Sequence, residues 1–413
     1  MQETQSRQVV IAGAGVAGLT AALAFAERGY RIKLFEQAQH LEAAGAGIQL
    51  SPNATRILRQ LGVLERLLAT AVRPEAVVLK DAATLRKLAC VPLGQAAETR
   101  WGAPYLVAHR ADLQSALMQR VSEQPGIDLI AGSRVTDITA GPKGVAVTAS
   151  VDGETVEAGC LLIGADGVWS SVRETLARKA AEFGRSRFSG ELAWRATVAA
   201  DSPAGQTFAA IGAADCVTAF LYPGFHMVAY PVSRGTAFNL AAFTRGKRIA
   251  EGWSGHADPT SLSSAMRGAA PALVRLASEA APWTAWPIHT VEQRRWTTPE
   301  GIALIGDAAH AMTPFAAQGA AMAIEDAATL AGFVAASPAD LEGALTAWEQ
   351  ARRPRVAQVA RRGAVNRLAW HAAGPVAMAR NLFLAMRSPE KLAADLDWLY
   401  GWRALETSDS VSS

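Results

Sequence analysis

The chain has 413 residues, half of them hydrophobic, enough for one large or two ordinary domains with real cores, which sets disorder aside. Lysine and arginine number 40 against 37 acidic residues, and the charges are scattered, so no basic arm points to nucleic acid. Cys90, Cys160 and Cys216 stand far apart without a Cys-x-x-Cys or metal spacing; they read as buried thiols of a reducing cytoplasm, with no metal site.

Taken in chain order, Val9 to Ala26 carries no charge and approaches the length of a membrane span. Gly13, Gly15 and Gly18 interrupt it and no cleavage site follows, so it reads as a buried strand entering a buried helix, and no membrane is expected. Gln8–Ala12 is the strand, residues 13–18 the turn, and the helix runs to about Gly29 before a second strand at Arg31–Glu36, which makes a βαβ opening. Helical spacing recurs at Ala54–Leu68 and Asp112–Glu123, and apolar strands at Asp128–Ile130 and Leu161–Ile163. Between Arg187 and Arg245 the pattern becomes alternating and aromatic, as in Ala193–Val198, Val217–Tyr222 and His226–Val232, which is antiparallel-sheet patterning. The α/β pattern returns at Ile302–Gly306, and from Ala316 the chain is mostly helical to a frayed polar end at Thr407–Ser413.

The expected architecture is α/β: a Rossmann-like domain over residues 1–180, with some strands of the second domain near 75–100, interrupted by a β-rich domain over 181–285. It resumes over 286–345 and is followed by a helical tail over 346–413. In that tail Leu382, Phe383, Leu384, Met386, Trp398, Tyr400 and Trp402 are expected to bury against the core, a dimer face being the alternative, in a monomer or homodimer.

Gly13-Ala14-Gly15-Val16-Ala17-Gly18 is Gly-x-Gly-x-x-Gly between a strand and a helix. Gly13 permits the tight turn, Gly15 lets the backbone approach a pyrophosphate, and Gly18 lets helix and strand pack closely. The anion then faces unpaired N–H groups at the helix start. Glu36 ends the second strand about 20 residues on, where an acid binds ribose hydroxyls. This fingerprint does not separate NAD from FAD.

Two later segments do. Ile163-Gly164-Ala165-Asp166-Gly167 follows an apolar strand and leads to Ser170, Ser171 and Arg173, and Ile305-Gly306-Asp307-Ala308-Ala309-His310 leads through Met312, Pro314, Gln318 and Gly319 to Glu325 and Asp326. A glycine-rich fingerprint, a "DG" segment and a "GD" segment in this order resemble the single-component FAD-dependent aromatic hydroxylases. That family of flavoprotein monooxygenases includes salicylate hydroxylase, 3-hydroxybenzoate 6-hydroxylase and 6-hydroxynicotinate 3-monooxygenase. The resemblance covers nearly the whole chain.

It implies an enzyme in which NADH or NADPH reduces FAD, O2 forms a hydroperoxide at flavin C4a, and a small phenolic or heteroaromatic acid is hydroxylated. The resemblance places Val16, Ala17, Glu36, Gln37, Gly47, Arg110, Val135, Asp166, Arg173, Asp307, Pro314, Gly319 and Ala320 at the cofactor along with Gly13, Gly15 and Gly18. Asp166 and Asp307 also read as helix caps, and Arg110 as a solvated ion pair. A phenol becomes reactive as it approaches phenolate, so a base or acceptor is expected in the β-rich domain. His226 and Tyr230, four apart on one strand, point to the same face, and in the related hydroxylases such a pair assists deprotonation; Gln318 joins them as a catalytic candidate. Gln49, Arg195 and Arg245 are the substrate candidates, the arginines as partners of a carboxylate. Gln49 stands where 6-hydroxynicotinate 3-monooxygenase has histidine, which argues for a benzoate-type ring. His310 reads as packing, and Glu325 and Asp326 as helix-start electrostatics. The competing readings are a monooxygenase or epoxidase of larger polycyclic compounds and a non-catalytic FAD-binding redox sensor.

Overall fold

The computed structural model describes residues 7–40, 46–141, 144–151, 153–247 and 259–404; the end at Thr407–Ser413 lies outside them. Among these residues one sheet has six strands in the order Thr297–Thr298, Ile302–Leu304, Leu161–Gly164, Gln8–Ala12, Arg31–Phe35, Ile127–Ile130. All neighbours are parallel except the short first strand. A parallel strand covered on both faces has no solvent side, so Val9, Val10 and Ile11 are all fully buried. The helices Val16–Ala26 and Gly319–Ala336 pack against each other beside this sheet. The second of these is long and apolar enough to cross a membrane, yet most of it is buried inside the fold.

A second sheet has seven strands in the order Thr284–Val291, Ser186–Ala199, Ala237–Arg245, Phe225–Val232, Val217–Tyr222, Ala76–Asp81, Lys87–Pro92. Thr284–Val291 runs through the expected domain boundary at residue 285, because it pairs with Ser186–Ala199 along its length. Alternation along the strands divides this sheet into two faces. Phe225, Met227, Ala229 and Trp194 enter a core closed by the helices Pro203–Ile211 and Pro271–Glu279. Val228, Tyr230, Val232 and Phe243 turn the opposite way, into the core shared with the parallel sheet. The candidate site lies on that second face.

Local differences from the sequence reading have physical causes. Residues 54–68 form two helices, Pro52–Gln60 and Leu64–Leu68, because Gly62 at φ +70° ends the first. Arg134–Gly141, Gly144–Val151 and Gly153–Gly159 form an antiparallel trio for which the sequence reading gave no sheet. The tail divides: Tyr400 is buried and Trp398 and Trp402 pack on the core, whereas Leu382, Phe383 and Met386 are exposed. The helix Gly374–Ala385 has no fully buried residue, but Leu384 packs on the core, so the expectation is corrected for Leu382, Phe383 and Met386.

Candidate active site

The glycine-rich turn is built by three close approaches. Gly13 adopts φ +99°, and a side chain there would lie 2.6 Å from the Ala165 carbonyl; one on Gly18 would strike the Gly13 carbonyl. At Gly15 the same position opens into empty space, the cradle a phosphate needs. Glu36 fixes the turn: one carboxylate oxygen accepts the Ala14 amide at 2.8 Å and the other the Ala38 amide at 2.9 Å. Gln37 beside it is exposed. Gln114, which the sequence reading missed, donates to the Ala14 carbonyl at 3.2 Å from the helix Arg110–Ser122.

The two aspartate segments meet this turn from either side. Asp166 accepts the Ser171 and Val172 amides at 2.7 and 3.2 Å, capping the helix Ser171–Lys179, while its second oxygen is buried without a partner. Ser171 also reaches the Val135 carbonyl at 3.3 Å. Val135 is itself buried. Arg173 is fully buried and spends its two terminal nitrogens on the carbonyls of Val168 and Ala308 at 2.6 and 3.0 Å. It ties the two segments together, while its Nε is buried without a partner. Gly306 packs on the fingerprint: a side chain there would lie 3.2 Å from the Ala17 methyl.

Asp307 is exposed at the start of the short helix Asp307–His310. His310 is buried and held at 2.6 Å by Asp326, whose same oxygen accepts the Gly306 amide at 3.0 Å. Burial alone would raise the Asp326 pKa; the charges of His310 and Arg352 and the Gly306 amide outweigh it and bring it to about 2. Glu325 is likewise fully buried, 2.7 Å from Arg352 and 2.9 Å from Arg355. Both acids lie in the second turn of Gly319–Ala336, so the helix-start reading is corrected: they are the anionic half of a buried ion network. Beyond this, Pro314 opens a 3₁₀ turn and Ala317 takes the left-handed φ of +52°, rare for a residue with a side chain. That turn presents Gly319 and Ala320 at the N-terminus of an 18-residue helix. Gln318 is buried against Ser51 and Asn53, to which it is hydrogen bonded at 2.9 and 3.3 Å.

On the second sheet His226 and Tyr230 share a face but stand about 13 Å apart along the strand, each in its own surroundings. His226 is buried, stacked on Phe243 at 4.5 Å and flanked by Phe315 and Trp370. Its Nδ1 lies 2.9 Å from His371 Nε2. Burial, then His371, holds its pKa well below the imidazole range. Tyr230 is buried beside Asn239, and a side chain on Gly47 would lie 2.6 Å from its hydroxyl. Asn239 accepts the Gly47 amide at 2.7 Å, so the two halves of the molecule are joined here. Burial raises the Tyr230 pKa, keeping the phenol protonated. Gln49 accepts the Tyr105 hydroxyl at 2.7 Å.

Strand register places the arginines. Arg195 pairs with Ala241, which pairs with Val228; it therefore stands level with the midpoint between His226 and Tyr230, on their face. It is half-buried, 5.6 Å over the Trp286 ring, and among the described residues no carboxylate pairs with it. Arg110 is exposed and close enough to help lower the Arg195 pKa, after burial. Arg245 is opposite Glu191, beyond the His226 end of the face, and exposed. The two substrate arginines are thus separated, and only Arg195 lies between the candidate base and Tyr230.

The family model described as an FAD binding domain matches residues 6–363. The chain is 32% identical to a 3-hydroxybenzoate 6-hydroxylase of Polaromonas naphthalenivorans (strain CJ2) over 95% of this chain and 96% of that protein. The chain belongs to the FAD-dependent aromatic hydroxylases. A 3-amino-4-hydroxybenzoate 2-monooxygenase of Streptomyces platensis is 34% identical, with 97% of each chain covered. A salicylate hydroxylase substrate complex superposes with a TM-score of 0.80 at 23% identity, covering 96% of each chain, which supports the fold.

For an aromatic hydroxylase of this family the residues present fit FAD. Gly15 leaves the pyrophosphate cradle open, Asp166 keeps a buried oxygen without a partner, and Arg110 makes no ion pair among the described residues. No cluster of three or more metal-ligating side chains occurs among the described residues. Sequence reasoning missed His371, Asn239, Tyr105 and Gln114. None carries a motif; each is brought in by pairing with an element distant in the chain.

Proposed function

We propose that this hydroxylase acts on a small phenolic carboxylic acid, taking electrons from NADH or NADPH and oxygen from O2. The observation that carries the reading is the position of Arg195: a half-buried guanidinium without a carboxylate among the described residues, level with the midpoint between His226 and Tyr230. A cation removed from water favours an anionic partner. In this reading the ring of a carboxylate held by Arg195 lies along the face that carries Val228 and Ala241, and its hydroxyl meets His226. The hydroxybenzoate substrates in the relatives' names have this chemistry.

FAD, when bound, supplies the electron transfer and the activation of oxygen. In the proposed assignment Gly13, Gly15, Val16, Ala17 and Gly18 hold its pyrophosphate and Glu36, with Gln37 and Val135, the adenosine end. Arg110, Asp166, Arg173 and Asp307 take the ribityl and phosphate region, and Gly47, Pro314, Gln318, Gly319 and Ala320 border the ring system. His226, uncharged and accepting, takes the hydroxyl proton of the substrate. Tyr230 remains a donor. The closed aromatic surroundings of His226 exclude water from the reacting position.

The test is a panel of phenols and aromatic acids added to the FAD-loaded protein with NADH or NADPH. Stimulated nicotinamide oxidation, with a product carrying one added oxygen for phenolic acids, is the expected result. Stimulation confined to polycyclic compounds, or absent throughout, overturns the reading.

A further inference from the structure

The proton taken by His226 needs a way out. Its ring is packed against Phe243, Phe315 and Trp370, none of them charged, and its Nδ1 lies 2.9 Å from His371 Nε2. His371 is different: it ends the long helix Leu341–Trp370 and is half-buried. The contact therefore joins an enclosed imidazole to one that reaches water.

We propose that His371 is the outlet for the substrate proton, a relay residue acting through His226; the inference rests on the function proposed above. In the productive tautomers His226 carries its proton on Nδ1 and His371 Nε2 offers a lone pair. As the substrate O–H bond breaks, an N–H bond forms at His226 Nε2. The His226 Nδ1–H bond breaks as one forms at His371 Nε2, and His371 releases its Nδ1 proton to water. One proton leaves the substrate, one enters solvent, and neither ring keeps a charge. Return of a proton when the product hydroxyl is re-formed runs the transfer backwards and resets both tautomers.

The surroundings favour passing the proton over storing it. His226 is depressed by burial and by His371. His371 is brought to about 4 by burial, then by Arg367 on its own helix and Arg245 from the neighbouring strand end. Among the described residues the carboxylate that faces those arginines is Glu191, 3.4 Å from Arg367, and burial raises its pKa. A single buried imidazole would have to hold the cation; a pair that hands it on does not.

The probe is 3-hydroxy-4-nitrobenzoate, whose phenolate is coloured, mixed rapidly with the FAD-loaded protein without nicotinamide, with a soluble pH indicator to follow the released proton. In the wild type, ionisation of the bound probe and release of a proton should coincide. His371→Gln should bind the probe with unchanged equilibrium affinity yet ionise it at least tenfold more slowly. His371→Ala should be as slow and be accelerated by added imidazole, a rescue that a merely structural role would not produce. Ionisation in both variants at the wild-type rate overturns the relay while leaving the substrate class standing. Failure of the wild type to bind any phenolic acid overturns the proposed function, and the relay with it.

Discussion

Glu36 accepts the amide of Ala14 at 2.8 Å from inside the glycine-rich turn, so the residue assigned to the ribose also holds the backbone that would meet the pyrophosphate. Glu36→Gln keeps the size but replaces the charged acceptor, and hydrogen bonds to charged groups are worth about 1.5–3 kcal/mol. The expected outcome is FAD affinity reduced by about tenfold or more with the fold intact, read by a flavin fluorescence titration of apoprotein. Unchanged affinity would remove both roles from Glu36.

Asp307 and His310 are expected to differ in what their loss disturbs. Asp307 is exposed, so Asp307→Ala should weaken FAD binding or slow its reduction with little change in stability. His310 is buried on Asp326, and its removal leaves that carboxylate short of a partner. His310→Ala should lower the urea midpoint while the FAD-loaded protein keeps measurable turnover. Loss of flavin without loss of stability in His310→Ala, and the converse in Asp307→Ala, would reverse the assignment.

Arg352 is 2.7 Å from Glu325 and 2.9 Å from Asp326, all three buried. Removing one partner of a buried ion pair costs about 3–5 kcal/mol because the remaining charge is uncompensated. Arg352→Met should lose about 3 kcal/mol in equilibrium unfolding, Arg355 and His310 retaining part of the network. A loss below about 1 kcal/mol would mean that the acids are not held by Arg352.

His226 and His371 both titrate below the free-imidazole value of 6.5 in the folded chain. The unfolded chain therefore takes up protons at these sites that the folded one refuses, so their contribution is fully present above 6.5 and is lost as pH falls. Thermal stability should decline from about pH 6.5 to about pH 4, above the range in which Asp326 titrates. His371→Gln should flatten that decline. A profile identical in the variant would exclude His371 as a source of it.

What could be read from the chain followed the range of each signal. The turn at Gly13–Gly18 and the segments at Asp166 and Asp307 are local, since backbone conformation and close approach restrict those residue types whatever lies elsewhere. The shared face of His226 and Tyr230 followed from strand alternation alone. Their different surroundings did not: Phe315 and His371 reach His226 from the segment after Asp307 and from a helix end 145 residues on in the chain. Nor did the role of Asn239, which meets Gly47 across 192 residues. Glu325 and Asp326 were misread because a helix start is visible locally, whereas Arg352 and Arg355 come from another helix. Arg195 and Arg245 looked equivalent until strand register put one between His226 and Tyr230 and the other beyond them.

If Arg195 receives the carboxylate of a phenolic substrate, paired substrates on Arg195→Met report it directly. For each phenolic acid that stimulates nicotinamide oxidation, the KM is determined beside that of the phenol lacking the carboxylate. Arg195→Met should raise KM for the acid by about tenfold to a hundredfold, the loss of a charge-assisted hydrogen bond of about 1.5–3 kcal/mol, and leave the KM of the uncharged phenol within about twofold. An equal change for acid and phenol, or no change for either, would contradict it.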